Sequence, residues 1–172
     1  MAVSTILQST RAAIGLIAAA QAGAETTIVT AARMLDVEKG AIVERPTIVV
    51  TDGRIAAIAT RGDAPAAVPA DAKKVDLGDV TLVPGLIDMH VHLTSLAEVG
   101  GYQTLKYTDS FWGAIGVANA LKTLRAGFTS VRNVGAGDFQ DIGLKEAIDG
   151  GWVPGPRITP AGYAIGATGG HC

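Results

Sequence analysis

The chain has 172 residues, a formal net charge of −2, 48% hydrophobic and 5% aromatic residues, and 22 glycines. This is a globular composition, not a disordered one, and its charge balance offers no basic surface for a nucleic acid. The single cysteine is the last residue, Cys172, which excludes an internal disulfide and a cysteine-based zinc site.

Residues 1–24 read as a secretory signal peptide. Arg11 supplies a sparse positive start, Ala12 to Ala20 a short apolar run, and Ala20-Gln21-Ala22 and Ala22-Gly23-Ala24 two small-x-small cleavage sites. The run falls short of the ~20 residues that span a bilayer. The expectation is export, periplasmic or secreted, with no membrane span in a mature chain that starts at Gly23 or Glu25. An Ala-rich N-terminal helix, or a start codon upstream of the real one, is the plain alternative.

Residues 25–83 read as short β-runs between turns, a small β-sandwich module. Thr27 to Thr30, Pro46 to Val50, Arg54 to Ile58, Lys74 to Leu77 and Val80 to Val83 carry the β-forming residues. Asp52-Gly53 predicts a two-residue hairpin turn. Pro65 and Pro69 mark Ala64 to Ala72 as a loop.

From Pro84 the period changes, and residues 84–172 read as a β/α alternation. Pro84-Gly85 opens an apolar run, Leu86 to Leu93, that predicts a buried strand. Side chains two apart on a strand share a face, so His90 and His92 point the same way, with Asp88 aligned to them. Two imidazoles on one face of a rigid strand suit a first-row metal, and the C-terminal end of a parallel strand is where β/α folds place their chemistry. Strand-end histidines satisfied by backbone or solvent are the alternative. A long polar loop, Thr94 to Ser110, follows at the expected mouth, where Tyr102, Lys106 and Tyr107 can either meet a substrate or simply face solvent.

Asp109-Ser110 predicts a helix cap. Ile115, Ala118, Leu121 and Leu124 give Phe111 to Arg125 a helical period that Gly127 ends. A strand over Phe128 to Val134, a helix over Asp138 to Ile148 and a strand over Arg157 to Ile165 complete the alternation, which implies right-handed parallel crossovers. The inward sheet face is expected to include Leu86, Val131 and Ile158 or their alternating neighbours. Gly135-Ala136-Gly137 lacks a third glycine and a Walker lysine, and reads as a tight turn.

These motifs carry a resemblance. The run from Val83 to His92 is similar to the first barrel strand of the amidohydrolase superfamily. Ala126 to Gly135 resembles the second strand of its imidazolonepropionase-like and Xaa-Pro-dipeptidase-like branch. Pro154 to Ile158 with Gly169-Gly170-His171 resembles that branch's third strand and following loop. The resemblance covers the chain from about Ile28 to its end.

It implies an α/β fold in which 84–172 are the first three strands of a (β/α)8 barrel, after a β-sandwich module at 25–83, both incomplete in this chain. A whole barrel takes about 250 residues. It also implies that His90 and His92 bind the more buried of one or two divalent metal ions, with Zn2+ the expected metal. Metal-activated hydroxide would then hydrolyse a C–N bond in a dipeptide or cyclic amide. The other ligands and the general base belong to later strands, so no catalytic residue is expected within this chain.

His171 and Tyr102 are the candidate substrate contacts; a chain-end histidine in solvent is the alternative for the first. The family often has Asp where this chain has Asn133, beside Arg132, which leaves any electrostatic role there open. Cys172 stands where the pattern usually continues Gly-Asp, which suggests a truncated frame. A homo-oligomer is compatible with the resemblance, and a non-catalytic secreted binding module with an incidental His-x-His is the reading of another class.

Overall fold

The computed structural model describes residues 25–60 and 68–170. The signal-peptide reading of 1–24, the part of the loop reading that falls on 64–67, and the readings of His171 and Cys172 lie outside the described residues. Two compact units are present, one ending at Leu82 and the other beginning at Val83.

The first unit is all β. Its strands are β1 (Thr26–Thr30), β2 (Arg33–Asp36), β3 (Ala41–Glu44), β4 (Thr47–Thr51), β5 (Arg54–Ala59), β6 (Lys73–Asp76) and β7 (Thr81–Leu82). They form one sheet in the order β5-β4-β1-β6 and a second in the order β3-β2-β7. Asp52 and Gly53 both have positive φ, 50° and 72°. That is the condition of the type I′ turn matching the twist of paired strands, and β4 and β5 are the hairpin predicted.

The hairpin of β2 and β3 was not anticipated. Its signal is local: Asp36 Oδ1 accepts the backbone N–H of Glu38 and of Lys39, each at 3.1 Å, and Gly40 closes the turn with φ 62°. Ala31 and Val49 are the buried aliphatic residues of this unit, while Ile55 and Ile58 are exposed.

The second unit alternates β8 (Leu86–Val91), α1 (Asp109–Arg125), β9 (Phe128–Asn133), α2 (Gln140–Asp149) and β10 (Arg157–Pro160), with 3₁₀ turns at Gly101–Lys106 and Gly137–Phe139. The sheet is parallel in the order β10-β9-β8. Helices lie between consecutive strands because a parallel pair needs a crossover. Leu93, Ala120 of α1, Val131 of β9, Leu144 of α2 and Ile158 of β10 form one buried cluster.

Val131 and Ile158 therefore face the helices, so of the two sets left open it is their alternating neighbours that take the opposite sheet face. Each such side chain contributes roughly 1.5–3 kcal/mol by leaving water. Gly116 lets α1 come close, since an added Cβ would lie 3.0 Å from the Thr94 side chain and 3.2 Å from that of Leu144.

Other boundaries shift for physical reasons. Helix α1 starts at Asp109 with Thr108 in the cap position and no side-chain cap bond; Asp109 is a first-turn acid, favourable to the helix dipole. Helix α2 starts later than predicted because Asp138 and Phe139 both take left-handed φ, 47° and 51°. Strand β10 stops at Pro160: the Ala161 N–H is shared between the Asn133 carbonyl at 3.0 Å and the Asp141 carboxylate, and the Gly162 N–H turns to the carboxylate.

The expectation of a buried histidine strand is corrected. β8 is an edge of its sheet, and Leu86, Ile87 and Met89 are exposed, Ile87 by 64%.

Candidate active site

The site forms where the parallel strands end. β8 pairs Asp88 with Val131, then Val91 with Asn133, so the register slips by one residue in between. A slip of one reverses which residues share a face. Val91 packs on the helix-side core, which leaves His90 and His92 on the other face.

Their rings lie 5.5 Å apart between centroids, at 75° to one another, and both residues are exposed. Asp88 does not join them, contrary to the simple alternation. The slip separates it, and its Oδ1 accepts the His90 backbone N–H at 3.0 Å.

Polar side chains bind the turns beyond the strands into one frame. Asn133, with 0% exposure, accepts the Leu93 N–H on Oδ1 at 2.8 Å. Its Nδ2 donates to the Gly135 carbonyl at 3.1 Å and to Asp141 Oδ2 at 3.2 Å. The Asp141 carboxylate, also at 0% exposure, accepts Ala161 N and Gly162 N on Oδ2 at 3.1 Å each, and Ile142 N on Oδ1 at 2.9 Å.

On the other side, Asn119 of α1 donates to the carbonyls of Leu93 at 2.8 Å and Ser95 at 2.9 Å. Ser95 Oγ donates to the His92 carbonyl at 2.9 Å. His92 Nδ1 itself faces the Gly135 carbonyl at 3.4 Å.

Asn119 and Asp141 were not singled out from the sequence. For Asp141 a signal existed: it stands three before Leu144 and seven before Ile148, on the helical stripe that turns inward. In the sequence Asn133 stands out only as a departure from a carboxylate, and the structure gives it defined partners. Arg132, its neighbour, is exposed.

Past His92 the chain borders a cavity of about 510 Å³ whose lining includes Ser95, Thr104, Asp109, Trp112, Asp138 and Tyr163. Tyr163 donates its hydroxyl to Asp138 Oδ1 at 2.9 Å. That bond to a carboxylate holds the phenol above its ordinary pKa of 10.0. Trp112 packs with Tyr107 and Phe111, the latter two stacked at 4.3 Å. Tyr102 is 91% exposed and does not line the cavity, whereas Thr104, two residues on, does.

Among the described residues no three histidine, cysteine, aspartate or glutamate side chains gather as a metal site, and no described helix is long and apolar enough to cross a membrane.

Comparison with known proteins bears on this arrangement. A solved Xaa-Pro dipeptidase with bound methionine in its active site superimposes with a TM-score of 0.73 at 32% identity, over 86% of this chain and 36% of that one. A prolidase complexed with N-methylphosphonate-L-proline gives a TM-score of 0.71 at 32% identity, over 85% and 34%. A dihydroorotase of Syntrophotalea carbinolica is 41% identical over 66 residues, which is 38% of this chain and 14% of that protein. The chain thus spans about a third of the solved structures it matches, and the two agree in mixed α/β fold. The model of the amidohydrolase family matches residues 81–169, more than half of the 172 residues, and the chain belongs to that family.

Proposed function

We propose that this chain is the N-terminal part of a metal-dependent amidohydrolase that hydrolyses the C–N bond of a dipeptide or a cyclic amide. The observation that carries the reading is the placement of His90 and His92: adjacent, exposed, and on the sheet face turned from the core at the C-terminal end of β8. The dipeptidase and prolidase among the similar structures favour the dipeptide.

The two imidazoles fit a divalent ion as half of a donor set. Zinc in catalytic sites takes about three protein ligands, and Asp88 Oδ1 is engaged by the His90 backbone N–H. The remaining ligands and the general base are therefore assigned to later strands of a (β/α)8 barrel, of which β8, β9 and β10 are the first three. The exposed side chains of Leu86, Ile87 and Met89 support further strands on the open face. When bound, the ion supplies an activated water at neutral pH and polarises the scissile carbonyl.

The chain's own residues orient and bind. His92 turns Nδ1 to the Gly135 carbonyl, which leaves Nε2 to ligate. The cavity beyond it, with Ser95, Thr104, Asp109 and Trp112, offers polar and aromatic contacts to the part of a substrate beyond the reacting bond. Tyr102 and His171 are proposed as further substrate contacts. Export through residues 1–24 completes the reading, and mass measurement of exported protein should find a start at Gly23 or Glu25; an intact Met1 would refute it.

The decisive experiment uses the product of the complete reading frame. It should carry one or two equivalents of zinc and hydrolyse dipeptides, and His90→Ala or His92→Ala should remove metal and turnover together. Full metal content and turnover in the double variant would overturn the assignment and favour a binding module with incidental histidines.

A further inference from the structure

The Asp141 carboxylate is fully buried, and its hydrogen-bond partners are all N–H donors: three backbone amides and the Asn133 side chain. A buried carboxylate held this way fixes the orientation of whatever donates to it. Asn133 can present only one of its two amide orientations. Oδ1 must meet the Leu93 N–H, and Nδ2 must meet the carboxylate and the Gly135 carbonyl; the flipped amide would set like against like at all three contacts.

The Gly135 carbonyl is thereby held by Asn133 at 3.1 Å, and the same oxygen faces His92 Nδ1 at 3.4 Å. A chain of contacts thus runs from Asp141 through Asn133 and the Gly135 carbonyl to the imidazole.

We propose that Asn133 and Asp141 are a positioning pair for His92: they hold the Gly135 carbonyl where it accepts the Nδ1 proton, so that Nε2 is the nitrogen presented to a metal. The inference rests on the reading of His92 as a ligand. In this chain the amide at 133 meets all three of its partners. A carboxylate there would have no donor for the Gly135 carbonyl and would set a second negative charge against Asp141. Outer contacts of this kind shift metal affinity by about 10–100-fold.

The test uses the complete enzyme. In the metal-free parent at pH 8, 15N NMR should find the His92 proton on Nδ1. Asn133→Asp and Asp141→Asn should mix the tautomers and weaken zinc, measured by competition with a chromophoric chelator, by about 10–100-fold. Ile158→Val, a core change outside the pair, should lower the melting temperature and leave zinc affinity within about twofold, which separates positioning from stability.

A parent His92 carrying its proton on Nε2 overturns the proposal, and so do folded variants that keep parental zinc affinity. Should both variants fail to fold, the tautomer of the parent still decides. Should His92→Ala keep its zinc while the parent tautomer is on Nδ1, the metal reading fails and the contact chain stands. Should His92→Ala lose zinc and the parent tautomer be on Nε2, only the positioning pair fails.

Discussion

The two units of this chain are ordered by different means. In the β-rich unit the hairpins are set within a few residues, Asp52-Gly53 turning one and Asp36 with Gly40 another, while β6 and β7 join β1 and β2 from far along the chain, as in the Thr30–Asp76 bond across 46 residues. In the βα unit the turns beyond the strands are set across long separations. Asn133 reaches Leu93 forty residues back, and Asp141 gathers Ala161 and Gly162 twenty and more ahead. Local turns specify register cheaply but bury little, and Ile55 and Ile58 remain exposed beside them. Long-range polar bonds close only when the core is in place, so they couple the geometry of the site to the fold as a whole.

The largest effect that would sharpen this contrast is the loss of cooperative folding. Residues 25–172 expressed alone expose Leu86, Ile87 and Met89 along β8 and Ile55 and Ile58 on β5. Each aliphatic left in water forfeits roughly 1.5–3 kcal/mol against a net stability of about 5–15 kcal/mol. The edge of β8 also leaves backbone groups open to association. The expected sample is aggregated or molten and inactive with zinc present. A monomer with a sharp calorimetric transition would show that long-range order in the βα unit needs no further strands.

Next comes Asp141→Ala in the complete enzyme. The Ile142 and Gly162 N–H groups lose their acceptor, while the Ala161 N–H keeps the Asn133 carbonyl and Asn133 Nδ2 the Gly135 carbonyl; an unmet buried donor costs about 1–3 kcal/mol. Water entering the vacated space limits the total, so a loss of about 3–5 kcal/mol in denaturant unfolding is expected. A loss below about 1 kcal/mol would mean that the carboxylate is no keystone. Gly53→Ala, the corresponding cut in the β-rich unit, forces a Cβ onto φ 72° and should cost only about 1–2 kcal/mol. If Gly53→Ala proves the costlier of the two, the contrast between the units collapses.

What was legible in the sequence follows the same division. The Asp52-Gly53 hairpin, the helix α1 and the shared face of His90 and His92 are short-range patterns that read correctly, although α1 turns Gly116, Val117 and Ala120 to the core and leaves Ala118 of the expected stripe exposed. The hairpin of β2 and β3 was equally short-range, yet its strands are four residues each and lack a dense β-branched run; only Asp36 and Gly40 announced it. Asp88 read wrongly because a register slip leaves no mark on a sequence that alternates across it. Which face Val131 and Ile158 take stays open in the sequence for a related reason. Alternation gives a set of residues, and only the position of the helices says which set is covered. The Asn133–Asp141 contact joins two polar residues whose meaning depends on Ala161 and Gly162 arriving at the same place.

The smallest expected effect lies in the turn after β2. Asp36 is held below the ordinary carboxyl value of 3.8, first by the Lys39 backbone N–H, then by the Lys39 ammonium, 3.1 Å from Oδ2. A carboxyl whose pKa is depressed on folding lends stability that is present above its unfolded value and lost as pH falls through the folded one. Because the group is open to solvent, the change should stay local to the turn. Amide exchange at Glu38 and Lys39 reads it directly. Protection should be the same from neutral pH down to the carboxyl range and drop below it, once intrinsic exchange is corrected. Asp36→Asn should show the weaker protection at neutral pH and no further drop on acidification. Equal protection in parent and variant at neutral pH would mean that the turn is held by its Gly40 geometry alone, and that the carboxylate is dispensable even to the most local of the contacts described.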